Sequence, residues 1–259
     1  MEIKAKKSLG QNFLQDETIL KKIADSIKTE KNDLILEIGP GKGALTKYLK
    51  EKESFLICYE IDTRLKDILK KIEDAKTKVI FKDFLQANIV EDSKLFPYEN
   101  IYIIANIPYY ITTPIIKHVI GLKKLKSMTL LVQKEVAERL SAEPKSKHYG
   151  SLTVYLNYYF NIHSLFDVSK YAFNPIPKVE STVINFERKK ELIKLKNEEL
   201  FFKLINNAFK MKRKTLKNNL KDYDWDKIKI VLERNNLSEA VRAEELSLEV
   251  FAQIANNLA

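Results

Sequence analysis

The sequence predicts an α/β fold, a doubly wound parallel sheet followed by a small α-helical domain. Three observations predict it. Apolar runs without apolar/polar alternation recur through the first two-thirds of the 259 residues, and amphipathic segments lie between them. A glycine-rich stretch, "GPGKG", directly follows the first of these runs and opens a helix. Beyond Arg188 the chain turns helical and lysine-rich, with no strand candidate.

In chain order, "DLILEIG" reads as the first sheet strand and "ALTKYLKEK" as its helix. "SFLICYE" and "TRLKDILKKIED" form the second pair, and "KVIFKD" is the third strand. "IYIIAN" with "TPIIKHVIG", then "SMTLLVQ" with "EVAERLS", continue the alternation. "IHSLFDVS" and "KVESTVINFER" read as two further strands around the loop "KYAFNPIPK". A boundary is therefore expected between residues 1–188 and 189–259.

Composition narrows the function. With 45% hydrophobic and 31% charged residues the chain is an ordinary globular protein. No apolar run approaches ~18 residues and the basic N-terminus lacks a secretory pattern, so a cytoplasmic protein without membrane partners is expected. One cysteine, Cys58, in an apolar run reads as core, and three scattered histidines offer no metal cluster, so no metal is expected. The net charge of +10 suits a nucleic acid. From Phe186 to Lys221 twelve Lys and Arg face four Glu, and Lys210, Lys214, Lys217 and Lys221 recur at helical spacing. Ile205, Phe209, Leu216 and Leu220 form an apolar stripe on an adjacent face, which predicts one helix with a solvated basic side from Lys203 to Lys221. Lys212 and Arg213 join that set as candidate RNA contacts.

The chemistry gathers at strand ends. Gly39, Gly41 and Gly43 permit a tight turn and close approach of a nucleotide. Glu60 ends the second strand about twenty residues later, where a carboxylate accepts both hydroxyls of a ribose. Asp83 ends the third strand, placed to take the exocyclic amine of an adenine. Ile61 and Phe84, the next residue in each case, are assigned to the same cofactor site. Pro40 in the loop and the lack of a second glycine-rich motif favour S-adenosylmethionine over a dinucleotide in this Rossmann-like domain.

"NIPY" after the fourth strand resembles the Asn/Asp-Pro-Pro-Tyr motif of amino-group methyltransferases. The side-chain oxygen of Asn106 and the carbonyl of Ile107, held by the fixed φ of Pro108, can accept the two hydrogens of an exocyclic amine. Tyr109 would stack on a base drawn out of its helix, with Phe173 of "FNPIPKVES" facing it. Tyr110 reads as packing.

Taken together, "KKSLGQNFL", "ILEIGPGKGALT", "YEID", "NIPYYITTPII", "LVQKEVAERL", "FNPIPKVESTV", "RKTLKNNL" and "RAEELSLEVFAQIANNL" resemble the KsgA/RsmA family of small-subunit rRNA adenine dimethyltransferases. The resemblance implies that Asn12 and Leu14 help close over the cofactor with Gly39, Glu60, Asp83 and Asn106. It implies dimethylation of N6 on two adjacent adenosines in the 3′-terminal hairpin of 16S rRNA, within a small-subunit assembly intermediate. Separately, the sequence carries no interface signal, so a monomer is the default expectation. Lys82 departs from the family's usual glycine and Tyr110 from its frequent asparagine, neither at a position with an expected chemical role. The related resistance methyltransferases of large-subunit rRNA share "QNFL" and "NIPY". "TTPII", "QKEVAERL" and the C-terminal motif favour the small-subunit enzymes. An RNA-binding assembly factor is the reading from another class, and the intact Asn106, Pro108 and Tyr109 argue against a purely binding role.

Overall fold

The computed structural model describes residues 6, 11–106 and 111–259. Its strands are β1 (Phe13–Leu14), β2 (Leu34–Ile38), β3 (Phe55–Glu60), β4 (Thr77–Phe81), β5 (Ile101–Asn106), β6 (Leu125–Gln133), β7 (Phe160–Val168), β8 (Phe173–Asn174) and β9 (Ser181–Arg188). Seven form one sheet in the order β4-β3-β2-β5-β6-β9-β7, and β1 pairs with β8 alone. β4, β3, β2, β5 and β6 run parallel, and β9 lies antiparallel to β6. Every residue of β2 is buried, as its unalternating sequence requires of a strand covered on both faces. Because β2 has β3 on one side and β5 on the other, the strand order reverses there. A crevice opens at the carboxyl ends of such a pair.

All the expected strands form. The expected helix over 63–74 instead divides into a 3-10 turn Thr63–Leu65, a helix Lys66–Leu69 and a 3-10 turn Lys70–Ile72. Lys50 Nζ donates to the Ile72 carbonyl at 2.6 Å, satisfying an acceptor where the last turn tightens. Against the sheet packs the helix Glu17–Asp25, started by Asp16, whose carboxylate accepts from Ile19 N at 3.1 Å. Its Leu20, Ile23 and Ala24 join Ile35, Leu56, Cys58 and Ile104 in the core.

The chain divides into two compact units, Met1–Ala137 with His163–Arg188, and Glu138–Ile162 with Lys189–Ala259. The expected boundary after Arg188 is one of the crossings, but the structure adds Glu138–Ile162 to the C-terminal helices. Packing explains the difference. The helix Ser151–Tyr159 buries Val154 and Tyr158 in the second core with Phe201, Leu204, Ile228 and Phe251. The Tyr158 and Phe201 rings lie 5.4 Å apart, and Lys189 N donates to the Tyr159 carbonyl at 3.0 Å.

The expected single basic helix is also corrected. The helix Glu198–Ala208 stops, and a short helix Leu216–Asn219 begins after Thr215, whose hydroxyl accepts from Asn218 N. Between them the Asn219 side chain clamps the turn, accepting from Met211 N at 3.0 Å and donating to Met211 O at 3.1 Å. A side chain that competes for backbone groups in this way ends a helix that periodicity alone would continue. Ile205, Leu216 and Leu220 are buried as the stripe predicts.

Candidate active site

In the first unit a cavity of about 640 Å³ opens at the carboxyl ends of β2, β3, β4 and β5. Asn12, Leu14, Gly39, Gly41, Glu60, Ile61, Asp83, Phe84 and Asn106, the whole set assigned to the cofactor, line it, and so does Phe173. Ile107, Pro108 and Tyr109 lie outside the described residues, as does Tyr110.

The glycine loop is built for close approach. Gly39, Gly41 and Gly43 have φ of 71°, 58° and 82°, the left-handed region that side chains resist. A Cβ at Gly41 would stand 3.0 Å from the Phe13 ring, so glycine is demanded there twice. Gly41 N donates to Glu60 Oε2 at 3.0 Å, and Asp62 N donates to Glu60 Oε1 at 2.8 Å. Glu60 is thus fixed at the end of β3 with only 3% of its surface exposed, and burial raises its carboxyl above the ordinary range. A carboxylate has about four acceptor sites, so two backbone donors leave capacity for a diol at the cavity wall.

Asp83 accepts from Leu85 N at 3.0 Å, capping the 3-10 turn Phe84–Gln86 and setting the angle of Phe84. Phe84 packs edge-on against Tyr59 at 5.1 Å and His118 at 5.5 Å. Ile61 is 52% exposed yet lines the cavity, and with Phe84 it supplies apolar surface for a flat ring beside the Asp83 acceptor. Asn106 ends β5 across the switch point, and its carbonyl oxygen would lie 3.7 Å from a Cβ at Gly39. The arrangement offers a diol acceptor, a slot for a flat ring with an amine acceptor, and an amide at the far wall.

Phe173 is 3% exposed, and its strand β8 pairs with β1 so that Leu14 stands opposite Phe173. It belongs to the core as well as to the cavity lining. Lys82, expected to carry no role, also stands at the cavity lining.

Sequence reasoning missed several residues here. Glu37 lines the cavity floor on β2, is 2% exposed, and accepts from Cys58 Sγ at 3.4 Å. Burial, with Glu60 nearby, pushes its carboxyl up to about 7. Burial likewise holds the Cys58 thiol well above its usual value, so Cys58 is inert core. Gln11 and Phe13 line the cavity, and Asp62 anchors Gln11. An acidic residue two places after Glu60 in "YEID" was the available signal for Asp62.

In the second unit Lys210, Lys212, Arg213, Lys214, Lys217 and Lys221 are all exposed. The first four sit on the turn between two helices rather than on a helix face. Lys217 lies 3.5 Å from Glu239 and over the Trp225 ring. Among the described residues no helix is long and apolar enough to cross a membrane.

The family model described as ribosomal RNA adenine dimethylase matches residues 2–259. A Clostridium botulinum protein named ribosomal RNA small subunit methyltransferase A is 41% identical over 263 residues, covering 98% of this chain and 94% of that protein. A Streptococcus thermophilus protein of the same name is 40% identical over 265 residues, covering 98% and 91%. Among solved structures, a dimethyladenosine transferase from Plasmodium falciparum superposes with a TM-score of 0.78 at 27% identity, covering 93% of this chain and 95% of that one. The 23S rRNA methyltransferase ErmE gives 0.79 at 24% identity, over 95% and 99%, a likeness of fold.

Proposed function

The chain belongs to the ribosomal RNA adenine dimethylase family, and on that premise we propose that it dimethylates N6 of two adjacent adenosines in the 3′-terminal hairpin of 16S rRNA. The methyl donor is S-adenosylmethionine. The observation that carries the reading is the cavity at the sheet's switch point, lined together by the glycine loop, Glu60, Asp83 and Asn106.

The residues present fit that donor. Glu60, a buried carboxylate with acceptor sites left at the cavity wall, would hold the ribose hydroxyls. Asp83 would take the adenine amine between Ile61 and Phe84, and Asn12, Leu14, Gly39 and Gly41 would enclose the remainder. When bound it supplies an electrophilic methyl on a sulfonium. The chain's own task is to make a poor nucleophile react, because an exocyclic amine donates its lone pair into the ring. Asn106 accepts one amine hydrogen and the Ile107 carbonyl the other, which draws the nitrogen toward a tetrahedral shape. Tyr109 and Phe173 hold the extruded base. The gain is positioning and electrostatics, and no strong base is needed because the nitrogen becomes acidic once methylated. In the second round only one hydrogen remains, so pocket shape then replaces one of the two acceptors.

The substrate in this reading is a cytoplasmic assembly intermediate of the small subunit, met by a monomer, with the cations from Lys210 to Lys221 on rRNA phosphates. No metal takes part. The test is to incubate the protein with radiolabelled S-adenosylmethionine and small subunits lacking the modification, and identify the labelled nucleoside. Dimethyladenosine near four methyls per particle is expected, with Asn106→Ala slower by roughly 100-fold or more. Label in naked large-subunit RNA alone would overturn the assignment in favour of the resistance-type reaction. No label anywhere would leave a binding factor.

A further inference from the structure

Contacts at the cavity mouth close into a ring. The Phe13 side chain covers Gly41, Gly41 N reaches Glu60 Oε2 at 3.0 Å, and Glu60 Oε1 receives Asp62 N at 2.8 Å. Asp62 Oδ2 in turn accepts from Gln11 Nε2 at 3.0 Å, and Gln11 is separated from Phe13 by Asn12 alone. Arg64 grips both oxygens of Asp62, Nε on Oδ1 at 2.8 Å and Nη2 on Oδ2 at 2.6 Å. That fork leaves Asp62, only 5% exposed, held in one orientation with its carboxyl well below the usual range. At the other end of the same segment Gln15 N donates to the Ala172 carbonyl at 2.9 Å, and β1 pairs with β8. Residues 11–15 are therefore fastened on both sides, and Asn12 and Leu14 stand on the cavity between the fastenings.

We infer that Gln11 and Asp62 are positioning residues for the cofactor cavity: their hydrogen bond holds residues 11–15 as a strap across it and ties that strap to Glu60. The inference rests on the proposal that the cavity takes S-adenosylmethionine. The ring gives it physical content. Glu60 receives its donors from the glycine loop that the strap covers and from the residue that fastens the strap. A ligand held by Glu60 and enclosed by Asn12 and Leu14 meets both ends of one connected structure. Releasing Gln11 loosens the enclosure while leaving Glu60 and its two backbone donors in place.

The experiment is calorimetric titration of S-adenosylhomocysteine into the wild type, Gln11→Ala, Asp62→Ala and the double variant, with melting curves as the control for folding. Gln11→Ala should bind roughly tenfold more weakly at an unchanged melting temperature. The double variant should be no weaker than the weaker single one, because both break one fastening. Amide exchange of Phe13 and Leu14 in ligand-free Gln11→Ala should speed up, and in steady state the KM for S-adenosylmethionine should rise more than kcat falls. If Asp62→Ala does not fold, Gln11→Ala with the exchange measurement decides alone. Binding and exchange in Gln11→Ala equal to wild type would overturn the inference while leaving the functional proposal intact, as would single effects that simply multiply in the double variant. A wild-type protein that does not bind S-adenosylhomocysteine would overturn both.

Discussion

In the first unit Glu37, Glu60 and Asp62 are at most 5% exposed and each meets named donors, whereas in the second unit the cations from Lys210 to Lys221 all stand in solvent. The two arrangements suit different tasks. A buried carboxylate acts through particular atoms in a low-dielectric setting, so one substitution there changes everything that depends on its geometry. A solvated lysine acts through its charge, and its neighbours can replace much of what it does. Substitutions in the two units should therefore differ in size and in kind.

The largest effect is expected at Glu37. Burial raises its carboxyl from 4.5 to about 7. A carboxyl raised in the folded state contributes stability in full below its unfolded value, and that contribution is lost as pH rises through the folded value. The wild type should thus lose up to about 3 kcal/mol from this group between pH 4.5 and pH 8. Glu37→Gln cannot titrate, so its unfolding free energy, followed by denaturant melts at each pH, should lack that fall. Parallel pH profiles for the two proteins would mean that burial in β2 does not hold the carboxyl as the structure implies.

Next comes Glu60→Gln. The amide keeps the size of the side chain but replaces one acceptor oxygen with a donor, which faces either Gly41 N or Asp62 N. Charged hydrogen bonds contribute about 1.5–3 kcal/mol each, so S-adenosylhomocysteine should bind roughly ten- to a hundredfold more weakly. Binding within twofold of wild type would remove Glu60 from the ribose site and weaken the contrast between the units.

What could be read in advance follows the same contrast. Gly39, Glu60, Asp83 and Asn106 were legible because a doubly wound sheet sends its functional residues to strand ends, and strand ends are visible in sequence. Asn12 and Leu14 came only through family resemblance. The pairing of Gln11 with Asp62 was not legible, because the bond joins an arm before the first helix to a turn after β3, and no local pattern encodes it. The basic segment was misread for a different reason. Lys210, Lys214, Lys217 and Lys221 fit a helical period, but Asn219 and Thr215 use their side chains to end one helix and start another. "SLTVYLNYY" was assigned no element, since its polar Ser151, Thr153 and Asn157 do not separate from the apolar residues onto one helical face, and Thr153 is itself buried. Its Val154 and Tyr158 nevertheless anchor 138–162 in the second core.

The smallest effects belong to the lysines, and there the comparison can be sharpened within one unit. The side chains of Lys214 and Lys221 make no ion pair among the described residues, whereas Lys217 faces Glu239 at 3.5 Å. Glu239 also receives Lys229 at 2.8 Å and Trp225 Nε1 at 3.1 Å, and Lys229 foremost pulls its carboxyl down to about 2. If Lys214 meets a phosphate, Lys214→Ala should weaken rRNA binding a few-fold and lower the salt slope by about 0.7–0.9. Lys217→Ala should do less, because its charge is already partly balanced. Glu239→Gln should act in the opposite direction, strengthening binding about twofold at low salt by releasing Lys217 and Lys229 toward the RNA, and the gain should vanish as salt screens both. Filter binding of the three variants across a salt series measures all of this. Equal slopes for Lys214→Ala and Lys217→Ala would show that a local carboxylate does not restrain a surface cation here, and that the second unit works by its total charge alone.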